Sequence, residues 1–207
     1  MSTVALDTTQ LFAIAAALGW ASGLRLYAVV FLTGLAGWLG WVTLPQGLHL
    51  LQQPLMLGAS GLMLAVEFFA DKVPGLDSLW DMVHTVIRIP AGALLAAGVF
   101  GGDQASWTLI AALMGGTLAA TSHAAKASTR AAVNTSPEPF SNLGLSLIDD
   151  AAVPAMLWLA WAHPGWFFVA LAAAVALMLA LIVLMARFVR RLLARLRGGG
   201  ASAPRSV

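Results

Sequence analysis

Long apolar stretches separated by short polar connections dominate this chain and restrict what it can fold into. Six of them run at about 11–42, 54–69, 89–102, 106–121, 143–161 and 166–186. A helix crosses the hydrocarbon core of a bilayer with about 20 residues. The first stretch is too long for one straight span and the third is too short. The sequence therefore predicts an all-α, polytopic membrane protein with about six spans, of which one or two are broken or half helices.

Composition supports this class. Apolar residues make up 60% of the 207 residues and charged residues 10%, whereas soluble domains have about 45–50% and about 25%. This hydrophobicity excludes a disordered protein, and the absence of cysteine excludes a disulfide-linked scaffold. We predict one membrane-embedded domain, residues 1–197, followed by a disordered tail, residues 198–207.

Orientation is predicted from the positions of Lys, Arg and Trp. The connections near 43–53, 103–105 and 162–165 have no Lys or Arg. Six of the eight Trp lie at the span ends beside those connections, as in an interfacial aromatic belt. With six spans, the basic connections, the Arg-rich tail and both termini fall on the opposite side, which the positive-inside rule assigns to the cytoplasm. A break at Gly19 or Gly23 is the alternative that would move the N-terminus outside.

Two polar stretches between spans have helical spacing and opposite charge. Asp77, Asp81, His84 and Arg88 recur every three or four residues, and so do His123, Lys126 and Arg130. Such residues lie along one face of a helix, so we expect the two stripes to face each other or a bound cation. The predicted inner mouth consists of Glu67, Asp71, Asp77, Asp81, His84, His123 and Lys126.

The fifth and first stretches contain ionisable residues well inside apolar sequence. Asp149 and Asp150 lie in the fifth, four residues before Pro154, and Arg25 lies in the first. Charged groups inside a span are costly and usually face a polar interior. Proline also leaves a backbone carbonyl free, and broken helices of transporters use such carbonyls to hold cations. We predict that Arg25 pairs with Asp149 or Asp150 and that these residues line a substrate or ion path. In the alternative, the fifth span begins later and the two carboxylates lie at the interface.

Metal binding is a further alternative. Asp77, Asp81 and His84 supply oxygen and imidazole ligands. Asp77-x-x-x-Asp81 is a fragment of the acidic patterns of Mg²⁺-dependent enzymes that act on lipid headgroups. No complete metalloprotease, phosphate-loop or nucleophile motif occurs in the sequence.

The chain resembles a bacterial integral-membrane family, domain-of-unknown-function family 4126. The motifs that carry the resemblance are WASGLRLY, VEFFADKVPGLDSLWDMVHTVIRIPAGALLA and SHAAKASTRAAVNTSPEPFSNLGLSLIDD, and it covers roughly residues 11–191. It implies a small polytopic protein of the bacterial inner membrane and assigns no activity, substrate or catalytic residue.

The favoured interpretation is a transporter or channel for a small solute or ion, with Arg25, Asp149 and Asp150 on the path. The alternatives are a metal-dependent membrane enzyme, for which a divalent metal ion would be the cofactor, and a non-catalytic membrane scaffold. The expected partners are the lipid bilayer and a small solute or ion, not nucleic acid. The sequence is also compatible with a homo-oligomer.

Overall fold

The computed structural model describes residues 6–73, 75–101, 105–133 and 139–198, and the secondary structure within these ranges is entirely helical. The elements are α1 (Thr8–Trp38), a 3₁₀ helix (Gln46–Gln52), α2 (Pro54–Ala70), α3 (Leu76–Phe100), α4 (Ala105–Val133), α5 (Pro139–Ala162) and α6 (Pro164–Gly198). Five helices are long and apolar enough to cross a membrane, and the 3₁₀ helix with α2, bent by 69°, makes a sixth if counted as one span. The predicted all-α membrane architecture with an irregular element is confirmed.

Helix α1 departs most from a straight span. Its backbone leaves the helical conformation at Arg25, with φ −145° and ψ 86°, which divides it into a first arm, residues 8–24, and a second arm, residues 26–38. Near the start, Gln10 donates from Nε2 to the carbonyl oxygen of Trp161 at 2.9 Å. In the second arm, Ala36 lines a cavity together with the same Trp161. The two arms therefore run in opposite directions and form a hairpin with Arg25 at its tip.

The predicted break at Gly19 or Gly23 is thus corrected, because the break lies at Arg25 and the two glycines serve packing. A Cβ atom on Gly19 would lie 2.4 Å from the Cα of Gly115 in α4, and one on Gly23 would lie 2.2 Å from the carbonyl oxygen of Ala119. Only glycine lets the first arm approach α4 this closely. Close helix approach through small residues is the common packing mode inside membranes.

The hairpin also corrects the predicted topology. Since α1 folds back, it begins at the same end of the molecule as Trp41 and Trp161, which we call the Trp-rich end. Helix α6 begins at this end, beside Trp166, and carries Arg187, Arg190 and Arg191 near its other end. The first described helix and the last one therefore start at the same end, and the last described residues lie at the opposite one. The prediction had placed both ends of the chain on one side. The assignment of the Arg-bearing side to the cytoplasm stays a prediction.

The first arm of α1 forms the centre of the molecule. Ile14 and Leu18 have no solvent-accessible surface, and α3, α4 and α5 pack around the hairpin. The third apolar stretch, too short by itself, is part of the 25-residue helix α3, which continues through Pro90. Outward-facing apolar side chains such as Val86 remain exposed, at 77% for this residue, as expected of a surface that contacts lipid.

The predicted tail boundary falls at Gly198, the last residue of α6, and the remainder of the tail lies outside the described residues.

Candidate functional site

Eleven charged side chains gather around the tip of the α1 hairpin and form what we call the charged cluster. Its carboxylates and cations come from α1 to α5 and from the turn after α2: Glu67, Asp71, Asp77, Asp81, Asp149 and Asp150, with Arg25, Lys72, Arg88, Lys126 and Arg130. These are six of the nine acidic and five of the eleven basic residues of the chain. When all are ionised, the five cations leave one carboxylate charge unbalanced.

Asp71 lies at the centre of the cluster. It follows the last residue of α2 and is fully buried. Its carboxylate accepts from Lys126 Nζ at 2.9 Å and from Arg130 Nη1 at 2.9 Å, and lies 3.2 Å from Arg25 Nη1. Burial alone would raise the pKa of the Asp71 carboxyl, but Lys126, Arg130 and Arg25 together hold this pKa well below its usual range. Asp71 is therefore a fixed anion that ties α1, α2 and α4 together.

Arg88 organises a second part of the cluster. Its guanidinium donates from Nη2 to Glu67 Oε1 at 2.8 Å and from Nη1 to Asp81 Oδ1 at 2.6 Å, and both Arg88 and Glu67 are fully buried. On the neighbouring helix, Arg130 lies 3.5 Å from Asp81, and Lys126 lies 3.8 Å from it. The acidic stripe of α3 thus faces the basic stripe of α4, which is the arrangement that the helical spacing predicted.

The tip of the hairpin contacts α5. Arg25 Nη2 lies 2.8 Å from Asp150 Oδ1 and donates to Ser146 Oγ at 2.9 Å. The second oxygen of Asp150 accepts from Lys72 Nζ at 3.0 Å. Asp150 lies twelve residues before the end of α5 at Ala162, about 18 Å along the helix axis. The predicted pairing of Arg25 with one of the two adjacent carboxylates is therefore present, within the span.

The predicted metal ligands do not converge. His84 bonds to the Trp80 carbonyl oxygen through Nδ1 at 2.8 Å and to the Tyr27 hydroxyl through Nε2 at 3.2 Å. Asp81 is bonded to Arg88, and Asp77 accepts from backbone N–H groups at the start of α3. In the described part of the chain, no group of three or more His, Asp or Glu is placed to hold a metal ion. His123 is likewise engaged, by the Thr85 hydroxyl at 2.7 Å.

The charged cluster contains residues that were not assigned to the predicted site. Lys72, Arg88 and Arg130 were used for topology or stripe spacing, yet each bonds a cluster carboxylate. Ser146 was missed, although it precedes Asp150 by four residues and so shares its helix face. Asn142, one turn earlier, is 1% exposed, and neither its amide nitrogen nor its oxygen has a hydrogen-bond partner among the described residues.

Two cavities lead from the Trp-rich end toward the cluster. The first, about 630 Å³, lies between the α1 arms and α5 and is lined by Gln10, Thr33 and Trp161 among others. The second, about 500 Å³, reaches Arg25 and Asp150 between α1, α2 and α5. Leu32 and Pro154 line both cavities. The two cavities are therefore neighbours, with a leucine and a proline side chain in the walls of both.

Comparison with known proteins identifies one family. No curated protein matches the chain, and neither does any solved structure. The model of a family described as a domain of unknown function, DUF4126, matches residues 12–187, which include both arms of α1 and the whole charged cluster. The chain is therefore a member of the DUF4126 family and an integral membrane protein by its apolar helices.

Proposed function

We propose that this protein moves a small solute or ion across the membrane and that the Arg25–Asp150 pair forms the barrier along the path. The observation that carries the proposal is that two neighbouring cavities share Leu32 and Pro154 as lining residues, the first reaching the Trp-rich end and the second reaching Asp150. Broken helices that present charged groups near the middle of a membrane are a recurring element of transporters. The break in α1 at Arg25 has this form.

The energetics of the cluster also favour a working role over a purely structural one. Buried ion pairs contribute little net stability compared with well-packed apolar side chains, since desolvation offsets their attraction. Eleven charged groups gathered within apolar helices are an expensive means of holding helices together. An unbalanced carboxylate, in addition, is suited to binding one cation or proton.

The metal-dependent enzyme receives no comparable support. Its three predicted ligands, Asp77, Asp81 and His84, are each bonded to other protein groups. A scaffold is the interpretation that remains if no flux is found.

The test is Asp150→Asn in proteoliposomes. Asn retains the shape of the side chain, and Arg25 keeps Asp71 at 3.2 Å and the Ser146 hydroxyl at 2.9 Å, so we expect folding to survive at a cost of about 1–2 kcal/mol. Flux is measured for protons with an entrapped pH-sensitive dye, for alkali cations, and for radiolabelled tetraphenylphosphonium. We expect the parent to pass at least one of these probes and Asp150→Asn to abolish that flux.

Asp7→Asn is the matched control, because Asp7 is an exposed helix N-cap and Asn caps a helix equally well. Full flux through Asp150→Asn would remove Asp150 from the path. A parent protein that passes none of the probes faster than empty liposomes would contradict transport of these solutes and favour the scaffold.

A further inference from the structure

We infer that Asp149 is the binding carboxylate for a lipophilic organic cation, held in a cavity between α4, α5 and α6. The inference names a substrate class and, for the fate of the bound cation, rests on the transport proposed above. It begins with a cavity of about 480 Å³ on the opposite side of α5 from the Arg25–Asp150 groove. This volume falls within the range of about 300–1,000 Å³ typical of small-molecule sites.

Most of the side chains that line this cavity are apolar, and three are charged. Trp20, Met156 and Met178 are among the side chains of the walls, and the Trp20 indole N–H points to the Met178 sulfur at 3.3 Å. The charged side chains that line it are Lys126, Arg130 and Asp149. A ligand that fits must therefore combine a bulky apolar body with one charge.

The charged side chains that line the cavity include one carboxylate that the nearby cations do not balance. Among the described residues, the nearest cationic atom to Asp149 is Lys126 Nζ at 3.7 Å, and the same Nζ lies closer to Asp71, at 2.9 Å. Arg130 is also bonded to Asp71, at 2.9 Å. Glu67, Asp81 and Asp150 have shorter ion pairs, at 2.8, 2.6 and 2.8 Å. Asp77 lies 3.9 Å from Arg130 but accepts two backbone N–H groups at the start of α3. We therefore assign the unbalanced charge of the cluster to Asp149.

The sign of the ligand's charge follows from the carboxylates near the charged side chains of the cavity. Among the described residues, Arg130 Nε and Nη2 have no hydrogen-bond partner, which by itself suits an anion. However, Asp71, Asp77 and Asp81 all lie within 4 Å of Arg130 Nη1, and the carboxylates of the whole charged cluster outnumber its cations by one. A bound anion would meet this excess at low dielectric, whereas a monocation would neutralise Asp149.

An aromatic and thioether lining suits such a cation. Aromatic faces attract organic cations, and methionine side chains adapt to irregular apolar shapes. Because α6 is exposed along most of its length, a lipophilic cation dissolved in the bilayer can reach the cavity between α4 and α6. The ligand class is thus an amphipathic monocation whose charge is shielded by apolar groups.

The test uses two probes of matched shape and opposite charge, tetraphenylphosphonium and tetraphenylborate. Binding of each to the purified protein in detergent is measured at equilibrium, with empty micelles as the blank. We expect tetraphenylphosphonium to bind and tetraphenylborate not to. Asp149→Asn should weaken binding on the order of tenfold or more, because a desolvated charge pair is lost, while Asp7→Asn should leave it unchanged.

A second variant covers the case in which Asp149→Asn does not fold. Ala174→Trp fills the cavity from α6 without altering a charge, and it should also abolish binding. Failure of the parent to bind, binding that survives both variants, or a preference for tetraphenylborate would each overturn the inference. None of these outcomes decides the Asp150 flux experiment, so the binding site and the proposed function fail separately.

Discussion

Arg88 offers the sharpest test of the idea that the charged cluster is one connected network. Its guanidinium bonds Glu67 at 2.8 Å and Asp81 at 2.6 Å, and the two carboxylates are 0% and 4% exposed. Arg88→Met keeps the apolar stem of the side chain but leaves Glu67 without a cation. Removing one partner of a buried ion pair costs about 3–5 kcal/mol, because the other charge stays buried and uncompensated. For a chain of this size that corresponds to a melting temperature lower by about 6–20 °C.

The second half of the prediction is a rescue. Asp81 retains Arg130 at 3.5 Å and Lys126 at 3.8 Å, so most of the loss should come from Glu67. Glu67→Gln added to Arg88→Met should therefore raise the melting temperature again. Thermal stability is measured on the detergent-solubilised protein by size-exclusion chromatography after heating, with Arg190→Met, an exposed position on α6, as the control. The network is refuted if Arg88→Met costs no more than Arg190→Met, or if the double variant loses the sum of the two single losses.

Two further predictions concern the hairpin. Gly19→Ala should destabilise the protein by about 1–3 kcal/mol, since its Cβ would lie 2.4 Å from a backbone atom of α4. Gly58→Ala has open space around it and should instead stabilise α2 by about 0.5–1 kcal/mol. Melting curves measured in parallel should show this contrast, and equal losses of stability would contradict the close packing of Gly19. In a chain without native cysteine, a cysteine at Thr9 should react with an impermeant reagent in intact cells and one at Ser78 should not. Labelling of both or of neither would disprove that α1 begins at the end opposite to the charged cluster.

Periodicity and charge predicted the pairing of α3 with α4 correctly, because both stripes follow the 3.6-residue helical repeat and carry opposite charges. One partner of Arg25 was also predictable, since an isolated cation inside apolar sequence requires a buried anion and the adjacent Asp149 and Asp150 lay within a span. Its second partner, Asp71, was not assigned to it. These inferences depend on local spacing and on the high cost of burying a lone charge, both of which can be read from one chain.

The reversal at Arg25 could not be predicted in this way. Gly19 and Gly23 were the obvious candidates for a break, yet glycine also permits close helix packing, and spacing alone does not separate the two roles. The arms are also individually too short to be recognised as spans, and together they form one uninterrupted apolar run. Similarly, the three proposed metal ligands share a helix face, but their partners include Tyr27 of α1 for His84 and Arg130 of α4 for Asp81, which lie far away in sequence.

The position of Arg25 at the hairpin tip has a consequence for the order of assembly during synthesis. The segment that carries Arg25 leaves the ribosome before the carboxylates that neutralise it, because Asp71 and Asp150 follow 46 and 125 residues later. Until they arrive, an arginine at membrane depth costs about 2.5–3.5 kcal/mol on the insertion scale. The first hairpin can therefore reach its buried position only after α5 has entered the bilayer. The centre of the molecule is therefore synthesised before the helices that surround it, and it reaches its buried position after them.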